Sequence, residues 1–99
     1  MKPVDKSLLS HWRELPAVDV LTAVADHAKR DVTYVALKSP LSSRWHARYG
    51  SQEFELLLTG PKFWDARAQK GGGGAVDLVM HLARADFAGA VRILQGFGL

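Results

Sequence analysis

A chain of 99 residues, 47% hydrophobic and 23% charged, has the size and make-up of one compact domain over residues 1–99, too short for a catalytic and a binding domain together. It contains no cysteine, which excludes disulfides, thiolate chemistry, iron–sulfur clusters and every zinc site built on sulfur. The net charge of +3 is compatible with a polyanionic partner without requiring one, and no segment is long and apolar enough to span a bilayer.

The first sixteen residues, MKPVDKSLLSHWRELP, carry charges throughout and lack an apolar core followed by a small-residue cleavage site. A cytoplasmic protein without a secretory signal is the expectation. Residues 5–14 predict a short helix, with Leu8, Leu9 and Trp12 on one side at three- and four-residue spacing. Pro16 suits the first turn of a second helix over AVDVLTAVADHA (17–28), in which Val20, Leu21, Val24 and Ala28 recur with helical period.

After Asp31 the residues become β-branched and aromatic, and VTYVAL (32–37) reads as a first strand. Past the turn SPLSS, RWHARY (44–49) alternates. Trp45, Ala47 and Tyr49 face one side and Arg44, His46 and Arg48 the other, so the outward face would be cationic. Gly50-Ser51 marks a tight turn, and EFELLL (53–58) is a strand with Phe54, Leu56 and Leu58 on one face. KFWDAR (62–67) is the last strand of the meander, with Lys62 and Trp64 sharing a face. Beyond Gly74 the period is helical again: Ala75, Leu78, Val79 and Leu82 make one stripe, and Phe87, Ala90, Val91 and Leu94 a second. The fold class expected is α+β, a small antiparallel sheet of three to five strands flanked by N-terminal and C-terminal helices.

Residues 44–74 hold five Lys/Arg against three Asp/Glu, and they are the electropositive third of the chain. His11, His27, His46 and His81 lie far apart, none with a second histidine three or four positions away, so no metal site or other cofactor is expected. The four glycines Gly71, Gly72, Gly73 and Gly74 are not a nucleotide P-loop, because Ala75 and Val76 stand where a lysine and a hydroxyl are needed. Nor is the stretch before them the buried strand of a dinucleotide-binding unit. Two readings stay open together. The glycines let the chain reverse between sheet and helix through positive φ or close backbone packing, and their amides, with Lys70 nearby, form an anion cradle ahead of the helix.

The stretch KFWDARAQKGGGGAVDLVMHLARADFAGAVRIL resembles the second half of the N-terminal zinc-finger domain of bacterial DnaG-type primases. In that family an aromatic strand with a cysteine knuckle runs through a glycine-rich turn into a helix, which Ala75-Val76-Asp77-Leu78-Val79-Met80 matches, and a last helix follows, which Phe87 and Val91 match. The likeness spans roughly residues 17–97, with its sharp part about twenty residues long. Aligned without gaps from Asp77, the family's second cysteine pair falls on Ala66 with Gln69, and by a looser alignment the first pair falls on Tyr49 with Gln52, so every metal ligand is missing. The resemblance therefore implies a zinc-ribbon-like but metal-free variant, of the kind found in primase or relaxase proteins of plasmids and conjugative elements. A structural zinc contributes on the order of 10 kcal/mol in small domains, so packing has to replace it, and Trp45, Tyr49, Phe54, Phe63 and Trp64 are the candidates.

By the same resemblance the domain touches single-stranded template DNA. Independently, the strands supply cations for phosphates and an aromatic surface for bases: Arg44, His46, Arg48, Lys62, Trp64, Arg67 and Lys70. The expected function is a non-catalytic single-stranded DNA-binding module in replication or transfer of a plasmid or mobile element. The alternative is an adaptor that docks a primase, helicase or relaxase partner through an exposed Leu8, Leu9 and Trp12. No catalytic carboxylate pair is legible, since none of the seven aspartates has another two positions away.

Overall fold

The computed structural model describes residues 5–35 and 41–99. Helix α1 (Lys6–Glu14) starts where the Asp5 carboxylate accepts the Ser7 amide at 2.7 Å, an N-cap that satisfies one of the helix's unpaired donors. Helix α2 (Ala17–Val24) is capped by Pro16, and its first amide donates to the Gly60 carbonyl at 2.8 Å. Five strands follow: β1 (His27–Arg30), β2 (Ser42–Tyr49), β3 (Gln52–Thr59), β4 (Lys62–Asp65) and β5 (Lys70–Gly72). They form one antiparallel sheet in sequence order. Helices α3 (Ala75–Ala83) and α4 (Phe87–Gly96) complete the α+β fold, with helices at both ends of the sheet as expected. No helix among the described residues is long and apolar enough to cross a membrane.

The core forms where the inner face of the sheet meets the helices. Ala47, Leu56, Leu58 and Phe63 from the strands pack with Val20, Leu21 and Val24 of α2 and Leu78, Val79 and Leu82 of α3. Ala90, Val91 and Leu94 of α4 close it from behind α3. Of the expected aromatic plug, Phe63 is buried and Trp45, Tyr49 and Phe54 are partly buried against the core. Trp64 lies on the other face of the sheet, 46% exposed. Trp12 takes a core place instead. It is fully buried, and its indole N–H has no acceptor among the described residues. Leu8 and Leu9 also pack partly against the core, so the exposed N-terminal anchor that the adaptor reading needs is not formed.

Two strand assignments are corrected. The second helix stops at Val24 because Asp26 is held elsewhere: its amide donates to the Arg48 carbonyl at 2.8 Å and its carboxylate accepts the Gly50 amide at 2.7 Å. These bonds start the pairing of β1 with β2, so His27–Arg30 is the first strand, and His27 and Ala28 belong to it rather than to the helix. Residues 32–35 of the expected strand 32–37 form no strand, with a turn at Val32 and Thr33, while residues 36 and 37 lie outside the described residues. The Asp31 carboxylate accepts both the Thr33 amide at 2.9 Å and the Thr33 hydroxyl at 2.6 Å, and this local turn chemistry overrides β-propensity. Phe87 also departs from its stripe. As the first residue of α4, next to the Asp86 cap, it remains 46% exposed.

The glycine run divides by position. None of its four residues lies in the left-handed region of φ, so a left-handed turn is not what the run serves. A Cβ on Gly71 would lie 2.7 Å from the Phe63 carbonyl oxygen and 2.9 Å from the Trp64 ring. One on Gly72 would lie 2.6 Å from the Asp77 Cβ and 2.8 Å from the Phe63 ring. A Cβ on Gly73 would meet nothing within 4 Å. Gly72→Ala is accordingly expected to lose about 1–3 kcal/mol in urea unfolding, and Gly73→Ala to be neutral or to gain up to about 1 kcal/mol.

Candidate nucleic-acid interface

Strand register decides what shares the outward face. Paired residues in an antiparallel sheet point the same way, and two rows follow from the pairing. Lys29, His46 and Glu55 form one, and Arg44, Leu57, Trp64 and Gly71 the other. His27, Arg48 and Glu53 flank the first row, and Thr59 and Lys62 flank the second. Arg44, His46, Arg48, Lys62 and Trp64 therefore lie on one face, with β3 running between the two groups. The face also holds Lys29, and His27 from the end of the expected second helix.

Glu55 organises the middle of this face. Its carboxylate is 2.8 Å from Arg44 Nη2, 3.1 Å from Arg67 Nη2 and 3.5 Å from His46 Nδ1. The hydrogen bond from Arg44 holds the Glu55 carboxyl below the usual carboxylate range; desolvation opposes this, and the charges of Arg67, Arg44 and His46 add to it. Arg67 joins the patch through this contact although it lies past the end of β4. No sequence pattern marked Glu55 as the counter-ion of three groups, because the convergence depends on pairing across β2 and β3.

Trp64 is seated rather than loose. A Cβ on Gly71 would collide with its indole, so the ring packs on bare backbone of β5 while nearly half the side chain stays accessible. Here the bland steric role of a glycine and the exposure of an aromatic surface have one cause.

Lys70 is corrected. It pairs with Asp65, whose carboxylate points inward to α3, so Lys70 lies on the helix side of the edge strand and borders His81 and Arg84. The anion cradle is corrected as well. The Gly73 amide donates to the Asp77 carboxylate at 3.2 Å, and Gly74 is buried beside Arg13 and the Trp12 carbonyl. A carboxylate of the helix itself therefore stands at the glycine run.

A buried polar pair holds the end of the sheet that carries the β2–β3 and β4–β5 turns. His81 Nε2 lies 2.7 Å from Asp65 Oδ2, and Asp65 Oδ1 accepts the Arg67 and Ala68 amides at 3.0 and 3.1 Å. Burial works against the Asp65 carboxylate, but the hydrogen bonds from His81, Ala68 and Arg67 and the His81 charge outweigh it and hold its pKa below the ordinary value. The His81 ring is wedged between Phe54 and Phe63, with centroids 5.6 and 5.3 Å away. Among the described residues no group of three or more His, Asp or Glu could hold a metal ion.

No family model matches the chain, and no solved structure matches it. It is similar to a "65 kDa protein" of Zymomonas mobilis subsp. mobilis, with 50% identity over 38 residues. The matched stretch takes in 38% of this chain and 6% of that protein's length.

Proposed function

We propose that the outward face of the sheet binds single-stranded DNA and that the chain is a non-catalytic module acting in replication or transfer of a plasmid or mobile element. The observation that carries this reading is the row Arg44, Leu57, Trp64 and Gly71: a guanidinium, an aliphatic floor and an accessible indole braced on glycine, with Arg48, Lys62, Arg67 and Lys29 around them. Cations that follow a phosphate backbone beside a ring on which bases stack are the parts that single-strand binding uses. Bases within a duplex have no free face for Trp64, so an unpaired strand is preferred.

The resemblance to the primase zinc-finger domain supports the same reading. In that comparison the metal ligands sit where Tyr49, Gln52, Ala66 and Gln69 stand here, at the β2–β3 and β4–β5 turns. The Asp65–His81 pair ties that end of the sheet to α3, and it performs the linking task that coordination has in the family. The adaptor reading loses its anchor with the burial of Trp12.

Fluorescence anisotropy with one mixed-sequence oligonucleotide, single-stranded and as a duplex, at low and physiological salt tests the proposal. The single strand is expected to bind more tightly, with a log–log salt slope of about −0.7 for each phosphate engaged. Absence of binding to either form at low salt rejects it.

A further inference from the structure

We infer that the recess beside Trp64 seats one nucleobase and that its polar edge selects guanine. This rests on the single-strand reading above and names what the site takes. The recess measures about 210 Å³ and is lined by Tyr34, Arg44, Glu55, Leu57, Trp64 and Ala66. That is below the roughly 300 Å³ at which a pocket encloses a drug-sized ligand, and it suits one planar ring system with its sugar and phosphate left outside.

The walls come from three separate places in the chain. Leu57 of β3 and Trp64 of β4 are register partners and form a continuous apolar surface. Tyr34 arrives through the Asp31 turn: its amide donates to the Asp31 carbonyl at 3.3 Å, while the Asp31 amide donates to the Arg44 carbonyl at 2.8 Å. That turn, which displaced the expected strand, is what sets a second aromatic residue beside the recess.

The edge is polar and has a direction. Arg44 Nη2 and Glu55 Oε2 lie 2.8 Å apart, so a base entering the recess meets a guanidinium donor beside a carboxylate acceptor. An ionised carboxylate can only accept. Guanine presents two adjacent donors, N1–H and the N2 amine, next to the acceptor O6. It can thus donate twice to Glu55 while O6 accepts from Arg44. Adenine and cytosine offer the carboxylate one exocyclic amine each, and thymine offers one ring N–H. The other ion pair of Glu55, to Arg67 at 3.1 Å, keeps the carboxylate charged and oriented when a base covers it. A carboxylate at the centre of a cationic face otherwise repels the phosphates that the face attracts.

The test is an anisotropy competition on the full chain with an oligo-dT carrying one central dG, dA, dC or deoxyinosine. The dG oligonucleotide is expected to bind on the order of tenfold more tightly than plain oligo-dT. Deoxyinosine, which lacks the N2 amine, should lose most of that gain. Glu55→Gln should abolish the dG preference, so that the dG oligonucleotide and plain oligo-dT bind that variant equally. Equal affinity for all four bases, or preference for another base, overturns the guanine seat and leaves single-strand binding standing. A dG preference that survives Glu55→Gln, or deoxyinosine equal to dG, overturns the role of the carboxylate. Failure of every oligonucleotide to bind overturns both the seat and the proposed function.

Discussion

Alanine at Asp65 is expected to cost about 1–3 kcal/mol of folding stability at neutral pH, because it leaves buried hydrogen-bond donors without their acceptor. Asp65 and His81 have side chains only 5% and 14% exposed, so water does not replace the lost partner. The change also removes the acceptor of two turn amides, those of Arg67 and Ala68. The β4–β5 turn, and with it Gly71 under Trp64, loses its tie to α3. The same group has a pH signature. Its folded-state pKa lies below its ordinary value, so its contribution is complete above the unfolded value of about 3.9 and is lost as pH falls through the folded one. Urea unfolding followed by circular dichroism from neutral pH down to about pH 2 should show the parent losing stability below about pH 4. The alanine variant should be less stable at neutral pH and flatter over that acid range. A variant within about 0.5 kcal/mol of the parent at neutral pH, the range of ordinary surface changes, would show that the pair is not a fastening.

Combining Arg44→Ala, Arg48→Ala and Lys62→Ala is expected to lower single-strand affinity about 100-fold at 0.1 M salt, since a slope of about −0.7 per phosphate makes each contact worth about fivefold there. The salt slope itself should become shallower by about 2. All three residues are exposed on the outward face, so stability should change little and the loss is not one of folding. Lys70→Ala is the matched control, removing one exposed cation from the helix side of the sheet, and it should leave affinity and slope as they were. Equal loss from Lys70 would move the interface to the other face. An unchanged affinity in the triple variant would remove the strands from DNA binding and return the question to a protein partner.

The parts of the fold legible in the sequence are those whose burial follows a simple period. Alternation in RWHARY and EFELLL placed Arg44, His46 and Arg48 outward and Leu56 and Leu58 inward, and the stripe Ala75, Leu78, Val79 and Leu82 is buried throughout. Periodicity carried the second helix into the first half of β1 and was silent on β5. His-Ala-Lys-Arg and Lys-Gly-Gly have little strand preference of their own, and they are strands because neighbours offer them a ladder.

Lys70 shows the same limit within the candidate site. Its face depends on how many residues the β4–β5 turn inserts, and a shift of one residue sends a side chain to the opposite side. Spacing within a strand could not report that, nor that Glu55 would gather Arg44, His46 and Arg67, nor that Tyr34 would meet Trp64 across a recess. By itself the sequence determined the α+β class, the two alternating central strands and a cationic outward row, because these follow from local patterns of polar and apolar side chains. Only the tertiary structure decided which rows share a face, which aromatic ring stays accessible and which carboxylates meet cations. Those outcomes depend on register and turn length, which bring together residues far apart in the chain.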